Sequence, residues 1–371
     1  MKNLTFLIKP ASSFCNMRCK YCFYDDVSNS RKVKNLGFMT KETVDKMLSN
    51  IYSSVSDGDQ ITFAFQGGEP TIAGLEFFEY FADKANNAEK NIKLFFTMQT
   101  NGLMIDEEWC GFLKKYDFLV GVSLDIPRSE HDRVRLDIDG KGTYTRIEKA
   151  IKLFNKFRIR YNILCTLTNA VARYPMKLWN EICKMNIEYT QLTPCIGELD
   201  SDSSPYALTP RMFASFYKEL FNLWYADYRK GKIRSIKLFD DIINLIVLGI
   251  PTACGIDGKC RPQLVVEADG SVYPCDFYCS DRYLMGNICT DGVDELWSSD
   301  GLGDFLNRQS PKLQMCTACR YAKFCGGYCE RMRSEVCGLL DGNYCGYKDF
   351  LDYAGKDFTD ISMELRKERF R

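Results

Sequence analysis

The chain has 371 residues, enough for one large domain or two ordinary ones with a sizeable core. Lys plus Arg and Asp plus Glu both number 49, so net charge gives no reason to expect a nucleic-acid partner or an anionic membrane surface. Eighteen cysteines stand against a single histidine, His131, which argues against His-rich zinc chemistry, Cys–His dyads and Ser–His–Asp triads; in a chain this long, clustered cysteines point to metal rather than a disulfide scaffold. The first apolar run is too short for a signal-peptide core, and nothing approaches the ~20 residues of a membrane span, so the expected address is cytoplasmic.

A strand over 5–9 leads into Ser-Ser-Phe-Cys-Asn-Met-Arg-Cys-Lys-Tyr-Cys-Phe-Tyr, which places Cys15, Cys19 and Cys22 within eight residues. Three thiolates are one short of the four that close a zinc or iron–sulfur site, so metal held here keeps an open position. A zinc knuckle with a distant fourth ligand is the other reading. Further strands are expected over 61–65, 94–98, 118–123, 161–167 and 189–192, alternating with amphipathic helices such as 40–55, with Thr40 as its N-cap, and 143–157. Six such βα units cannot close an eight-stranded barrel. The expected fold is α/β, a partial (β/α)6 TIM-like barrel, with ligands at the carboxyl ends of the strands.

Those ends carry Gln66-Gly67-Gly68-Glu69-Pro70, Gln99-Thr100-Asn101-Gly102 and Ser123-Leu124-Asp125. Paired glycines let a backbone approach a ligand closely. The next loop brings His131, read as structural or at the surface, and Arg135, which reads either as a grip on a carboxylate or as a solvated loop arginine.

Thr209-Pro210 and Gly231 bound a helix that reads as a connector. Beyond it Cys254, Cys260, Cys275, Cys316, Cys319, Cys325, Cys329 and Cys345 fall within 92 residues, enough for two four-thiolate sites of zinc or iron–sulfur type. A hairpin over 264–267 and 271–273, turning on a two-residue Asp269-Gly270 loop, is expected to mount Cys275. Cys110, Cys165, Cys183, Cys195, Cys279, Cys289 and Cys337 read mostly as buried small hydrophobes, although Cys279 and Cys337 lie among the ligands and could exchange with them.

Cys-x3-Cys-x2-Cys followed by aromatics, with Gly-Gly-Glu-Pro one βα unit later, resembles the cluster loop and SAM-binding turn of radical S-adenosylmethionine (SAM) enzymes. Gly-x4-Cys, a gap, Cys-x2-Cys-x5-Cys-x3-Cys, a gap and Cys is similar to their SPASM extension. Long stretches, among them Leu-Ile-Lys-Pro-Ala-Ser-Ser from Leu7 and Ser-Val-Tyr-Pro-Cys-Asp-Phe-Tyr from Ser271, resemble the anaerobic sulfatase-maturating enzymes. After Asp125, Ile126-Pro127 stands where that family often has Gly-Pro, and 195–205 follows its pattern poorly.

The resemblance implies a radical SAM core over 1–235 and, over 236–371, a cysteine-rich SPASM domain with a hairpin and helices. It implies SAM and three 4Fe-4S clusters, one on Cys15, Cys19 and Cys22, one on Cys254, Cys260, Cys275 and Cys329, and one on Cys316, Cys319, Cys325 and Cys345. Tyr21, Gly67, Gly68, Glu69, Ser123, Arg135 and Ile196 fall where the family meets SAM; Asp276 corresponds to its proton acceptor, with Tyr24 and Gln66 nearby. The implied reaction oxidises a Cys or Ser of a sulfatase to Cα-formylglycine, the clusters being reduced by a donor such as flavodoxin or ferredoxin. A maturase forming thioether or carbon–carbon crosslinks on another peptide is the alternative enzyme. A ferredoxin-like carrier is the non-enzyme alternative, and it has no use for Gly-Gly-Glu-Pro.

Overall fold

The computed structural model describes residues 1–199, 204–308, 313–339 and 342–369; part of the divergent 195–205 stretch thus lies outside the described residues. The strands in chain order are β1 (Asn3–Ile8), β2 (Met17–Cys19), β3 (Gln60–Phe65), β4 (Lys93–Thr100), β5 (Leu119–Ser123), β6 (Arg135–Asp137), β7 (Arg160–Leu167), β8 (Tyr189–Pro194), β9 (Ser235–Ile236), β10 (Leu264–Val266), β11 (Ser271–Tyr273) and β12 (Gly286–Asn287). All six strands expected in the first 195 residues form, with ends moved by one or two residues. Their apolar runs are what a parallel sheet covered on both faces demands.

The chain packs as two compact units that interleave in sequence. The first comprises Met1–Ser123, Asp132–Tyr161 and Pro262–Arg308; the second comprises Leu124–His131, Asn162–Arg261 and Gln309–Arg371. These packing units cut across the motif boundary expected at 235/236.

In the first unit the strand order is β12-β11-β10-β1-β3-β4-β5, with β10, β1, β3, β4 and β5 parallel and the hairpin partners β11 and β12 antiparallel. The late hairpin therefore extends the early sheet through β1. Its loop is longer than the two residues expected: Glu267 N–H donates to Ser271 O at 2.9 Å and Gly270 N–H to Glu267 O at 2.9 Å. Three residues lie between, and Gly270, at φ +88°, takes the left-handed position that such a loop requires. An aromatic core fixes the helices on this sheet: Phe65 meets Phe78 and Phe81 edge-on at 4.9 Å, and Phe78 meets Trp109 at 5.4 Å. Each buried ring contributes about 1.5–3 kcal/mol of hydrophobic stabilisation. Thr40 caps its helix as expected, accepting from Thr43 N–H at 3.1 Å.

In the second unit β7, β8 and β9 run parallel. The helix Pro210–Tyr228, capped by Thr209, is no mere connector. Its Tyr217 and Phe221 pack on Phe239 of Lys237–Leu248 and on Phe350 of Gly346–Arg369, making it a core element. His131 is fully buried and accepts Asp125 N–H through Nδ1 at 3.1 Å, which gives it the structural role expected.

Candidate active site

Parallel register builds the site. Ile8 pairs with Val266 on one side and Phe65 on the other, so the next residues, Glu267, Lys9 and Gln66, emerge side by side at the carboxyl ends of β10, β1 and β3. Backbone bonds continue the register: Lys9 N–H donates to Val266 O at 2.8 Å and Gln66 N–H to Ile8 O at 2.9 Å.

Lys9 is the hub. Its Nζ lies 2.9 Å from Asp276 Oδ1, 3.5 Å from Glu267 Oε1 and 3.3 Å from Cys279 Sγ, and 5.0 Å from the centre of the Tyr24 ring. Arg31 adds a second cation, donating to Glu267 Oε1 at 2.8 Å. Tyr24 hydroxyl donates to Asp276 Oδ2 at 2.7 Å and lies 3.3 Å from Gln66 Oε1. Phe23 against Phe277, 4.8 Å between ring centres, holds the two neighbouring segments together.

Burial alone would push the Lys9 ammonium down. Asp276, then Cys279 and Glu267, outweigh it and raise its pKa, so Lys9 stays charged. For Glu267, burial acts upward, but Lys9 and then Arg31 hold it below the ordinary carboxylate range. Burial, with Asp276 next, raises the Tyr24 phenol well above its usual value, so Tyr24 is a donor and not a phenolate. Glu267 is sealed off, while the Asp276 side chain retains 13% exposure; of the two acids only Asp276 can reach a substrate.

Beside this network lies the cysteine loop. Gly68 N–H donates to Ser12 O at 2.9 Å and Glu69 N–H to Phe14 O at 2.8 Å. A Cβ on Gly68 would stand 2.0 Å from Phe14 O, and one on Gly67, at φ +112°, 2.9 Å from Ser12 O. Thus the paired glycines admit the backbone of the cysteine loop itself. Glu69, only 1% exposed, accepts from Thr71 N–H (3.1 Å), Thr71 hydroxyl (2.6 Å), Thr100 hydroxyl (2.7 Å) and Asn101 N–H (2.6 Å). Its carboxylate ties the turn after β3 to the turn after β4. Asn101 continues the chain of bonds to Asn16 Oδ1 at 2.7 Å.

The β2–β6 pair, invisible in the sequence, sets Cys19 opposite Arg135 and brings the Arg135 guanidinium 5.4 Å from the Tyr21 ring centre. Burial, then Glu69, pushes the Cys15 thiol up to about 12, with Cys19 and Cys22 close enough to add to the effect. Cys15, Cys19 and Cys22, three thiols of one loop, are one short of the four that close a cluster and so fit one that keeps an open iron. Ser123, buried, ends β5 in the same unit.

The remaining sequence-assigned residues divide between the units. Cys275 precedes Asp276 in the first. In the second, Cys254 and Cys260 approach Cys329, whose thiol is raised by burial and then by these two neighbours. Ile196 precedes Gly197, whose N–H donates to Glu335 at 3.0 Å and whose carbonyl accepts from Arg331 at 2.6 Å. Cys316, Cys319, Cys325 and Cys345 share the walls of a cavity of about 210 Å³ with Cys337. Among the described residues, no three His, Cys, Asp or Glu side chains are grouped to hold a single metal ion. The cavity's thiols are arrayed around a volume, the disposition that a polynuclear cluster fits.

Lys9, Arg31 and Glu267 were missed as site residues. Lys9 follows a strand and lies in a stretch already matched to the family, but its role depends on Val266 pairing with Ile8 across more than 250 positions, which no local pattern announces.

Comparison with known proteins agrees with this geometry. The radical SAM superfamily profile matches residues 10–171, and that of the SPASM iron-sulfur cluster-binding domain matches 258–320. These matches, with the parallel α/β fold of the radical SAM partial barrel, define a radical SAM enzyme bearing an iron–sulfur extension. A cysteine-type anaerobic sulfatase-maturating enzyme of Clostridium perfringens (strain 13 / Type A) is 40% identical over 99% of this chain and 100% of its own. Two solved structures are similar: hexahistidine-tagged anSMEcpe with bound AdoMet (TM-score 0.89, 37% identity, 97% of this chain and 95% of that one) and native anSMEcpe with bound AdoMet and Cp18Cys peptide (0.88, 35%, 98% and 99%). The chain belongs to the anaerobic sulfatase-maturating enzymes.

Proposed function

We propose that the enzyme oxidises a cysteine side chain of a sulfatase polypeptide to Cα-formylglycine, using SAM and three 4Fe-4S clusters. The ligand sets and SAM contacts are those the sequence assigns, and the motif domains are 1–235 and 236–371. The observation that carries the reading is the Asp276 carboxylate, gripped by Lys9 at one oxygen and Tyr24 at the other yet still partly open.

When bound, reduced cluster and SAM supply a hydrogen-abstracting 5′-deoxyadenosyl radical, and the auxiliary clusters an acceptor for the remaining electron. Asp276 receives the substrate thiol proton. Lys9 grips that carboxylate at Oδ1 and Tyr24 orients Oδ2. The substrate thus loses one hydrogen atom, one proton and one electron to give a thioaldehyde, which water converts to the aldehyde with release of hydrogen sulfide. Glu69 and Asn101 hold the cysteine loop against the Gly67-Gly68 turn.

The reductant is proposed to be a flavodoxin or ferredoxin and the setting the reducing cytoplasm, where free thiols persist. Among the described residues no helix is long and apolar enough to cross a membrane.

Anaerobic mass spectrometry with SAM, a reductant and paired peptides containing Cys-x-Pro-x-Arg or Ser-x-Pro-x-Arg tests the reading. Conversion of the cysteine to the aldehyde, with 5′-deoxyadenosine released, is expected. Deoxyadenosine without change in either peptide would overturn formylglycine formation and point to another peptide substrate.

A further inference from the structure

One acid and one cation of the strand-end network have no part in the chemistry proposed above: Glu267 and Arg31, both buried. Glu267 Oε1 is shared, with Arg31 Nη1 donating to it at 2.8 Å and Lys9 Nζ standing off at 3.5 Å. Lys9 sits closer to Asp276 Oδ1, at 2.9 Å. Among the described residues no third cation reaches Glu267. Two carboxylates thus compete for one ammonium, and the second cation decides where it goes.

The contest is unequal. The Glu267 side chain has no exposed surface whereas that of Asp276 keeps 13%, so water solvates part of Asp276 and none of Glu267. If one of its two cations is removed, Glu267 has only the other to turn to, because an unpaired charge costs far more when sealed from water than when partly wet. The flexible lysine stem can follow that pull. Arg31, by contrast, is held in place: its backbone N–H donates to Ser28 O at 3.3 Å, just past the helix Phe23–Asn29 that carries Tyr24, and Nη2 donates to Lys34 O at 3.4 Å.

We propose that Arg31 is a positioning residue for the proton transfer: by occupying Glu267 it leaves Lys9 to hold Asp276. The inference rests on the proposed role of Asp276 as proton acceptor, and Arg31 acts on it only through Glu267 and Lys9. Glu267 therefore becomes harmful once Arg31 is gone. Replacing Arg31 alone lets Glu267 draw Lys9 away, and neutralising Glu267 in the same chain gives Lys9 back. Were the pair merely structural, a second lesion would leave the chain no better than the first.

The test measures aldehyde formed per 5′-deoxyadenosine released, anaerobically and with the cysteine peptide, on the reconstituted full chain and its R31M, R31K, R31M/E267Q and R31K/E267Q variants, with iron content checked for each. Deoxyadenosine is expected near the parent level throughout. The ratio is expected to fall about tenfold in R31M, to fall less in R31K, and to return to within about twofold of the parent in R31M/E267Q. An unchanged ratio in R31M, or a double variant as low as R31M or lower, would overturn the proposal. If R31M loads too little iron to assay, the lysine pair decides: a ratio lowered in R31K and restored in R31K/E267Q supports the proposal, and any other pattern overturns it. Asp276→Asn in the same assay separates the two failures. The parent ratio in that variant sinks the proton-acceptor reading itself, whereas a lowered ratio there with an unmoved one in R31M removes only Arg31.

Discussion

The strand ends of the first unit are buried and the thiol cavity of the second is half-buried, and the two are made of opposite materials. At the strand ends, two cations and two carboxylates are locked together, every charge held by another within 3.5 Å. The cavity near Cys316 is walled by thiols, Met315, Leu351 and the rings of Tyr321 and Tyr347, with Lys348 at its margin. A carboxylate placed away from water needs compensating charge or hydrogen bonds to be held in place. Electron storage needs soft ligands whose charge the iron itself neutralises. In the proposed function one region handles the proton and the other the electron.

The largest expected effect comes from breaking the cysteine loop. Cys15→Ala is expected to abolish 5′-deoxyadenosine release while the auxiliary EPR signals persist; retained SAM cleavage would remove Cys15 from the ligand set. Next is the hub. Lys9→Met leaves Asp276 and Glu267 without their shared cation, and urea unfolding of the apoprotein should show a loss of about 3–5 kcal/mol, with Lys9→Arg recovering part of it. An unchanged midpoint would mean that the ion network adds nothing to stability.

The same pair sharpens the comparison through pH. Glu267 is held below its ordinary 4.5, so its contribution is present above that value and fades as pH falls through the lower folded one. Lys9 is raised above 10.5, so its contribution is present below that value and fades only as pH climbs past it. The stability difference between parent and Lys9→Met should therefore be flat from about pH 5 to 10 and shrink in acid. A difference that changes steeply near neutrality would contradict the network, including the roles of Arg31, Asp276 and Cys279 around Lys9. The smallest effect is expected at Cys110, buried in the helix Glu107–Lys115 and outside both regions. Cys110→Ala should cost about 1 kcal/mol and leave the iron content untouched; lost iron would show that thiol count alone does not separate the two classes of cysteine.

Much of this was legible in the sequence because local chemistry carried it. The six strands are short apolar runs with turn residues after them, and Thr40 and Thr209 cap helices as their side chains dictate. Cysteine spacing marked the thiol groups, and the Gly67-Gly68 pair marked a close approach, although it is the loop's own backbone that approaches. What could not be read was set by pairing between distant segments. Lys9 meets Asp276 only because β10 adds to β1, and Arg135 faces Cys19 only because β2 pairs with β6. The hairpin loop was misjudged by one residue because Ala268 could belong to strand or turn.

The central claim is that the carboxylate held by Lys9 and Tyr24 takes the substrate proton. The most direct test is the ratio of aldehyde to 5′-deoxyadenosine in Asp276→Asn, measured anaerobically on the reconstituted enzyme with the cysteine peptide. The account predicts deoxyadenosine near the parent level and aldehyde lower by about 100-fold or more. Aldehyde formed in the parent ratio would contradict it.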